Sequence, residues 1–309
     1  MRYVLGFDGG GTKTECVLMD EAGKILAQSR SGPSNPVNIG TEASVNALAD
    51  AATLALRSVA KAEAGISYIC GGIAGASESS VRGALQWGLQ PKFPNAMISI
   101  TSDLVLSLAA TGEYPVVVVI AGTGSAVLGR VSPVELARAG GFGPAIGDPG
   151  SAYDIGRKTT ALVLQKHLNK ENFPLGEGIL RSMRWKWNDL LDQARSKPAA
   201  VFPKLFPIVA KAAESGDPAA RKILASAARD LHELAREVIA QLHLQDKNFF
   251  LAKTGGVFRG SAFLNYQFDC LARETAPKVR IGPLPRSVAE AAAELARAAL
   301  NSPLKFDES

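Results

Sequence analysis

The sequence predicts an α/β protein made of two similar halves, with a ligand cleft between them. Two glycine-rich turns, residues 7–14 and 121–125, each separate two short apolar runs, which is the pattern of strand, tight turn and strand. After each turn the chain continues as a third strand and then as alternating helices and strands, so one order of elements occurs twice. The length of 309 residues also fits two domains of roughly 150 residues each.

The first half contains five predicted strands and three predicted helices. The strands are expected at 3–7, 15–20, 24–29, 67–74 and 97–100. The helices are expected at 41–60, at 78–88 and in a short segment that ends at 110. Val45, Leu48 and Ala52 recur at helical spacing in the first of these helices, which predicts one apolar face.

The second half repeats the three-strand opening and is richer in helices. Strands are expected at 117–120 and 126–131, followed by a third strand and a glycine-rich loop over 140–156. Helices are expected at 151–168, 176–195, 202–214 and 218–243, with strands at 248–252 and 279–281. The last helix is expected to begin at Ser287, because Ser287 and Glu290 have the spacing of a capping box.

Composition and charge exclude several classes of protein. Hydrophobic residues make up 47% of the chain and charged residues 20%, which argues against disorder. The net charge of +5 is scattered and forms no basic run, so we expect no nucleic-acid partner. The longest apolar stretch, 115–121, is much shorter than the ~18 residues of a membrane span.

The N-terminus and the cysteines predict a cytoplasmic protein with reduced thiols. The chain enters a strand at once, without the pattern of a signal peptide. Cys16, Cys70 and Cys270 lie far apart and form no paired motif, so their spacing supports neither a zinc site nor an iron–sulfur site.

The two glycine-rich turns are candidate binding sites for a phosphate tail. Glycine lets backbone N–H groups approach an anion, and Thr or Ser adds a hydroxyl donor. A Walker A loop is excluded because Thr12, and not glycine, precedes Lys13. The dinucleotide fingerprint does not fit the glycine spacing of either turn. The alternative interpretation is that both are ordinary hairpin turns.

Together with three further motifs, these turns resemble the sugar kinase, heat-shock protein and actin superfamily. Within it, the chain resembles the BadF/BadG/BcrA/BcrD ATPase family and its N-acetylglucosamine kinases. The further motifs are residues 101–103, residues 140–143 with 147–153, and residues 254–257.

The resemblance implies two duplicated ribonuclease H-like (actin-like ATPase) domains with an interdomain cleft. The first would comprise 1–114 and 286–309, with the sugar side, the catalytic aspartate and the first phosphate turn. The second would comprise 115–285, with the second phosphate turn and the adenosine site.

The resemblance also implies ATP and Mg²⁺ as cofactors and gives roles to two carboxylates. Asp103 matches the general base that takes the proton of the sugar hydroxyl. Its alternative role is a helix N-cap, which Ser102 could fill instead. Asp8 matches the residue that holds magnesium, and the alternative is an aspartate that bonds its own turn.

The residues expected to bind ATP lie in both halves. Two roles are equally consistent with Lys13, a contact with phosphate or a solvated lysine of the hairpin. Ala210 either lies in a helix that lines the adenine or takes part in ordinary helix packing. The expected ATP-binding residues are Gly9, Gly10, Gly11, Thr12, Lys13, Gly122, Thr123, Gly124, Ala210, Gly255, Gly256 and Val257.

The residues expected to bind the sugar also come from the resemblance. Asn35 could bond a sugar hydroxyl or simply form a turn beside Pro36. Relatives often carry Trp where this chain has Phe142, so the identity of the sugar stays open. The expected sugar-binding residues are Asn35, Asp103, Ser125, Ala126, Gly141, Phe142, Gly143 and Asp148.

The predicted function is ATP-dependent phosphorylation of the 6-hydroxyl of an amino sugar. N-acetylglucosamine is the first candidate, with glucosamine and N-acetylmuramic acid as alternatives. A second hypothesis is an ATP-driven activator of a radical dehydratase, because the same family contains such proteins, which hold an iron–sulfur cluster between subunits. A third hypothesis is a non-catalytic nucleotide-dependent binding protein. Relatives often form homodimers, so a homodimer is expected here.

Overall fold

The computed structural model describes residues 1–57, 59, 65–144 and 146–301. Residue 60, the predicted end of the first long helix, lies outside them. The chain divides into two compact units. Unit 1 consists of Met1–Gly112 and the segment from Leu284 onwards, and unit 2 consists of Glu113–Pro283. Among the described helices, none combines the length and the apolar character that crossing a membrane requires.

Ten strands and twelve helices make up the described part of the chain. The strands are β1 (Tyr3–Gly9), β2 (Thr14–Asp20), β3 (Ile25–Ser31), β4 (Ile66–Ile73), β5 (Met97–Thr101), β6 (Val116–Ala121), β7 (Ser125–Ser132), β8 (Glu135–Gly140), β9 (Phe249–Thr254) and β10 (Val279–Pro283). The helices are α1 (Pro36–Ile39), α2 (Thr41–Leu56), α3 (Ser79–Leu89), α4 (Asp103–Ala109), α5 (Ala152–Leu168), α6 (Pro174–Met183), α7 (Trp187–Ser196), α8 (Pro198–Glu214), α9 (Pro218–Gln241), α10 (Gly256–Gly260), α11 (Ala262–Thr275) and α12 (Val288–Ala299).

Each unit contains one five-stranded sheet, and the two sheets have the same topology. The order is β3-β2-β1-β4-β5 in unit 1 and, read in the same sense, β8-β7-β6-β9-β10 in unit 2. In both sheets the first three strands are antiparallel, and the last two run parallel to the first. This arrangement confirms the predicted α/β class and the predicted repeat.

The sheet of unit 1 has an apolar layer on each face, as the alternation of side chains along a strand requires. On one face, Leu5 and Phe7 of β1 pack with residues of α2 and α3. On the other face, Val4 and Val17 pack with the alanine-rich side of α12. Gly6 explains why α12 lies so close to β1, because a Cβ at this position would be 2.2 Å from the carbonyl oxygen of Ala289.

Helix α12 begins as the sequence predicts and completes unit 1 after the chain has passed through unit 2. The Ser287 hydroxyl accepts a hydrogen bond from the Glu290 N–H, and the Glu290 carboxylate accepts one from the Ser287 N–H. This confirms the capping box.

The core of unit 2 lies between its sheet and the helices α5, α8, α9 and α11. Two of the helices predicted in this unit differ from the observed ones. The helix predicted at 176–195 is two helices, α6 and α7, because Arg184 has a left-handed backbone with φ of 56° and ends α6. The helix predicted from 202 begins at Pro198, which has the fixed φ suited to a first helical turn. Helix α11 has no counterpart among the predicted elements.

Candidate functional site

The first glycine-rich turn closes the hairpin of β1 and β2 in unit 1. The Gly10 N–H donates to the Lys13 carbonyl at 2.9 Å, while the carbonyls of Gly9 and Gly10 accept from Ala74 and Ser34. A Cβ at Gly9 would lie 2.4 Å from the Ser34 hydroxyl oxygen, so packing alone already requires glycine there. Thr12 is exposed and Gly11 half-buried, which leaves the tip of the turn accessible to a ligand.

Lys13 makes an ion pair within the hairpin. Its ammonium nitrogen lies 2.7 Å from Oε1 of Glu15, and Arg30 contacts the same oxygen at 2.7 Å. Burial by itself would raise the pKa of Glu15, but Lys13 and Arg30 together lower it. The ion pair favours the hairpin interpretation of Lys13, and a phosphate contact stays a prediction.

The carboxylates of Asp8 and Asp103 lie at the same edge of the unit 1 sheet. Asp8 pairs with Gly72 across β1 and β4, and Gly72 pairs with Thr101 across β4 and β5. Asp8 and Thr101 are therefore two strand spacings apart, roughly 10 Å. Asp103 follows Thr101 by two residues, at the carboxyl ends of parallel strands where α/β proteins commonly bind ligands.

Asp103 is the first residue of α4 and is not its N-cap. Ser102 occupies the N-cap position, and its side chain makes no capping hydrogen bond. The backbone carbonyl of Asp103 accepts a hydrogen bond from the Ser107 hydroxyl at 2.8 Å. The N-cap alternative for Asp103 is therefore excluded, while its role as a base stays a prediction.

Asn35 has a structural role in unit 1. It is the N-cap of α1, and its side-chain oxygen accepts a hydrogen bond from the Val37 N–H at 3.0 Å. The same oxygen lies 2.4 Å from the position of a Cβ at Gly75. The predicted turn role is present, and a sugar contact through the amide stays a prediction.

The second glycine-rich turn, between β6 and β7 in unit 2, is held by the start of α5. The N–H groups of Ala152 and Tyr153 donate to the carbonyls of Gly122 and Thr123 at 2.9 and 3.3 Å. Apart from Gly122 itself and the residues directly before and after it, no described residue has a heavy atom within 4 Å of a Cβ placed at Gly122. Packing therefore does not require glycine at 122, in contrast to Gly9, and the backbone there is open to a ligand.

The turn after β9 lies against the end of β6. Gly255 has a φ of 107°, and a Cβ there would be 2.1 Å from the Ala121 carbonyl oxygen. Residues 254–256 therefore lie beside the second glycine-rich turn. The side chains of Ala210 and Val257 are in the unit 2 core, which accounts for Ala210 by ordinary packing. Nucleotide contacts at these two positions stay predictions.

The loop 141–143 carries an exposed aromatic ring that an arginine supports. The Phe142 side chain is 64% exposed, and the Arg138 guanidinium lies 5.6 Å from the centre of its ring. Arg138 also donates to the Gly140 carbonyl at 3.2 Å and to the Gly141 carbonyl at 2.6 Å. Ala126 packs beneath this loop, because its Cβ is 2.9 Å from the position of a Cβ at Gly141. Arg138 is a site residue that the motifs do not reveal.

Asp148 is a buried carboxylate next to the second glycine-rich turn. Its Oδ2 would be only 2.6 Å from a Cβ at Gly124, and the Ser125 hydroxyl anchors its loop by donating to the Pro149 carbonyl at 2.8 Å. Burial raises the pKa of Asp148, although the backbone N–H groups of Gly143 and Ser125 act in the opposite direction. Within the described residues, Oδ1 is buried and has no hydrogen-bond partner.

Asp148 lines a cavity of about 590 Å³ in unit 2. The polar part of its wall comes largely from α5 and α9 and consists of Tyr153, Asp154, Arg157, Lys158 and Asp230. A buried acceptor without a partner is unusual in folded proteins and commonly marks a place where a ligand or water donates a hydrogen bond. The cavity is a candidate small-molecule site within unit 2.

The cysteines are poorly placed for an iron–sulfur cluster. Cys16 and Cys70 are buried in unit 1 and belong to apolar clusters on opposite faces of its sheet. Burial raises the pKa of both thiols, that of Cys70 to about 12, which opposes the thiolate form that a cluster needs. Among the described residues, no group of three or more His, Cys, Asp or Glu side chains is arranged to hold a metal ion.

Comparison with known proteins agrees with this arrangement. The model of the BadF/BadG/BcrA/BcrD ATPase family matches residues 5–295. The chain is 31% identical over 303 residues to the N-acetylmuramic acid/N-acetylglucosamine kinase of Clostridium acetobutylicum, covering 96% of this chain and 99% of that one. It is 29% identical over 293 residues to the N-acetyl-D-glucosamine kinase of Dictyostelium discoideum, with coverages of 90% and 92%.

A solved structure has the same fold over nearly the whole length. A proposed N-acetylglucosamine kinase from Chromobacterium violaceum superposes with a TM-score of 0.81 at 25% identity, covering 96% of this chain and 99% of that one. With the repeated sheet topology, this likeness confirms the predicted pair of ribonuclease H-like domains. The family match over most of the chain confirms the resemblance drawn from its motifs, and the chain belongs to the BadF/BadG/BcrA/BcrD ATPase family.

Proposed function

We propose that the protein is an ATP-dependent amino sugar kinase that phosphorylates the 6-hydroxyl of N-acetylglucosamine. Two relatives that align over nine tenths or more of this chain are named as kinases of N-acetylglucosamine, one of them also of N-acetylmuramic acid. Membership of an ATPase family supports ATP as the phosphoryl donor. The proposal places the protein in the cytoplasm as a homodimer.

The observation that carries the proposal is the buried Oδ1 of Asp148, which has no partner among the described residues. Leaving a buried acceptor unpaired costs about 1–3 kcal/mol, so the native protein gains stability when a ligand donates to it. A sugar presents several hydroxyl donors. Because Asp148 lies against Gly124, a hydroxyl bound there is close to the turn proposed to hold the phosphates.

In unit 1, Asp103 is proposed as the general base and Asp8 as the magnesium residue. The base takes the proton of the 6-hydroxyl as its oxygen attacks the γ-phosphorus, and the bond from that phosphorus to the β–γ bridging oxygen breaks, releasing ADP. Asp103 suits this task because it begins a helix at the carboxyl edge of the sheet and does not serve as an N-cap.

The surroundings of Asp8 fit magnesium. Mg²⁺ is typically held by one or two carboxylates together with water and substrate phosphates, so a single half-buried carboxylate beside a phosphate turn suffices. When bound, the ion would neutralise charge on the phosphate oxygens. Each glycine-rich turn is proposed to bind phosphate oxygens through the backbone N–H groups at its tip.

A coupled assay of ADP release tests the proposal. Mg·ATP is supplied with N-acetylglucosamine, glucosamine, N-acetylmuramic acid, N-acetylmannosamine, glucose or no sugar. We expect strong stimulation by N-acetylglucosamine, and product analysis by NMR should place the phosphate on the 6-oxygen. Stimulation by another amino sugar alone would change the substrate and keep the kinase. A flat panel with intact ATP binding would reject the kinase and favour a binding protein or an activator.

A further inference from the structure

The wall of the Asp148 cavity contains a partly buried cluster of charges that the proposed mechanism does not use. Asp154 and Lys158 lie on α5, and Asp230 lies on α9. The Lys158 ammonium contacts Oδ2 of Asp154 at 2.7 Å and Oδ2 of Asp230 at 2.6 Å. We call these three residues the α5–α9 ion cluster.

Lys158 and Asp154 remain charged near neutral pH. Burial alone would lower the pKa of Lys158, but its two carboxylate partners raise it. Burial alone would raise the pKa of Asp154, but Lys158, Arg157 and the Gly150 N–H together lower it. Both groups are therefore held in their ionised forms.

The cluster is connected directly to the loop that carries Asp148. Oδ2 of Asp154 accepts a hydrogen bond from the Gly150 N–H at 3.1 Å, and Gly150 is only two residues beyond Asp148. Gly150 has a φ of 74°, and a Cβ there would be 2.5 Å from the Ala227 carbonyl oxygen on α9. The loop therefore rests on α9 and is fastened to α5 by one charge-assisted hydrogen bond.

A second attachment holds the other side of the loop. The Pro149 carbonyl accepts from Ser125, which begins β7 beside the second phosphate turn. Two of the hydrogen bonds that hold the Asp148 loop are therefore those from Ser125 to Pro149 and from Gly150 to Asp154. Lys158 supports the second of these bonds, the Gly150 anchor, together with Arg157, because it pairs with the same Asp154 oxygen that accepts from Gly150 and ties it to Asp230.

We propose that Lys158 is a positioning residue that, through Asp154 and Gly150, fixes the Asp148 loop for sugar binding. The inference rests on the proposed function, because it takes Asp148 to be the sugar acceptor. Lys158 would not touch the sugar itself. Its loss would loosen the Gly150 anchor and leave the backbone bonds between the start of α5 and the phosphate turn in place.

The test compares Lys158→Met with Lys166→Met. Lys166 lies on the same helix and also makes an ion pair, with Glu171 at 2.5 Å, so it is matched for residue type and helix. Lys158→Arg keeps the positive charge and tests rescue. Asp230→Asn removes one arm of the cluster without changing side-chain shape and serves if Lys158→Met does not fold.

Two measurements are made on each variant. In hydrogen–deuterium exchange, the Gly150 amide should exchange about tenfold faster in Lys158→Met and at the wild-type rate in Lys166→Met. In the ADP-release assay, Lys158→Met should raise KM for the sugar about tenfold and change KM for ATP less than about twofold. Lys158→Arg should recover most of both effects.

Unchanged exchange at Gly150 in both Lys158→Met and Asp230→Asn would overturn the inference. The inference would also be overturned if Lys158→Met raised KM for the sugar and KM for ATP equally and lost as much thermal stability as Lys166→Met. In that case Lys158 would only stabilise the fold. If no sugar stimulates wild-type ADP release, the proposed function fails, and the exchange measurement still decides whether the cluster holds the loop.

Discussion

Replacing Gly124 by alanine is expected to damage sugar binding while leaving ATP binding nearly intact. A Cβ at this position would lie 2.6 Å from Oδ2 of Asp148. An ordinary contact begins near 3.4 Å, so the carboxylate must retreat by roughly 0.8 Å. The backbone at 124 is not left-handed, so alanine brings this clash without backbone strain.

The size of the effect follows from this displacement. A misplacement of about 1 Å at a binding group can reduce a rate by about a hundredfold, so kcat/KM for the sugar should fall by about ten- to a hundredfold. Overpacking should lower the free energy of unfolding by about 1–3 kcal/mol. The N–H of residue 124 remains in place, so KM for ATP should change less than about threefold.

Gly122→Ala is the matched control in the same turn. Since packing leaves room for a Cβ at 122, this variant should keep wild-type stability and sugar KM. It should raise KM for ATP if phosphate approaches the backbone there. The assay is ADP release with each substrate varied in turn, together with thermal unfolding.

A double variant separates the clash from other effects. Adding Asp148→Ala to Gly124→Ala removes the oxygen that clashes, so stability should recover while activity does not. A wild-type sugar KM for Gly124→Ala, or equal sugar defects in the 122 and 124 variants, would refute the placement of the sugar beside Asp148.

Three further predictions address single side chains. Asp103→Asn should keep ATP affinity and lower kcat by about 10²–10⁴-fold, and near-normal turnover would remove Asp103 as the base. Because the pKa of Asp148 is raised in the folded state, ionisation of this carboxyl destabilises the fold as pH rises above about 4. Asp148→Asn should therefore unfold at a higher temperature than wild type at neutral pH. That difference should shrink towards pH 4, and a constant difference in thermal scans would contradict the burial argument. Arg138→Met should free the Phe142 loop and raise KM for the sugar about tenfold without changing KM for ATP. Arg138→Lys should not restore KM for the sugar, because the contacts with two carbonyls and a ring need a planar guanidinium.

The repeated architecture can be predicted from local patterns because each glycine-rich turn lies between apolar runs. The capping box at Ser287 and Glu290 can also be predicted from the sequence, since it depends only on two residues three positions apart. These features need no information about distant parts of the chain.

The helix boundaries of unit 2 depend on tertiary structure. Arg184 interrupts an apparently continuous helical pattern without a glycine or proline to mark it. Helix α11 has a local signal, because Leu264, Phe268 and Ala272 follow the N-cap Ser261 at intervals of four, so this helix is predictable from the sequence.

The candidate site is partly hidden from the sequence for the same reason. Asp148 stands in a recognisable motif, but its unpaired oxygen depends on how the loop is buried. Arg138 lies in an ordinary strand, and its importance depends on the positions of Gly141 and Phe142 after folding. Lys158 and Asp230 are 72 positions apart in the chain, so only the packing of α5 on α9 brings them together.

The close packing of α12 on Gly6 has a consequence for how the protein is made. Strand β1 is synthesised before unit 2, yet the helix that covers one face of its sheet follows the whole of unit 2 in the chain. Domains generally fold as units while they emerge from the ribosome. Unit 2 therefore has all of its elements available first, and Val4 and Val17 stay uncovered on that face until α12 leaves the exit tunnel.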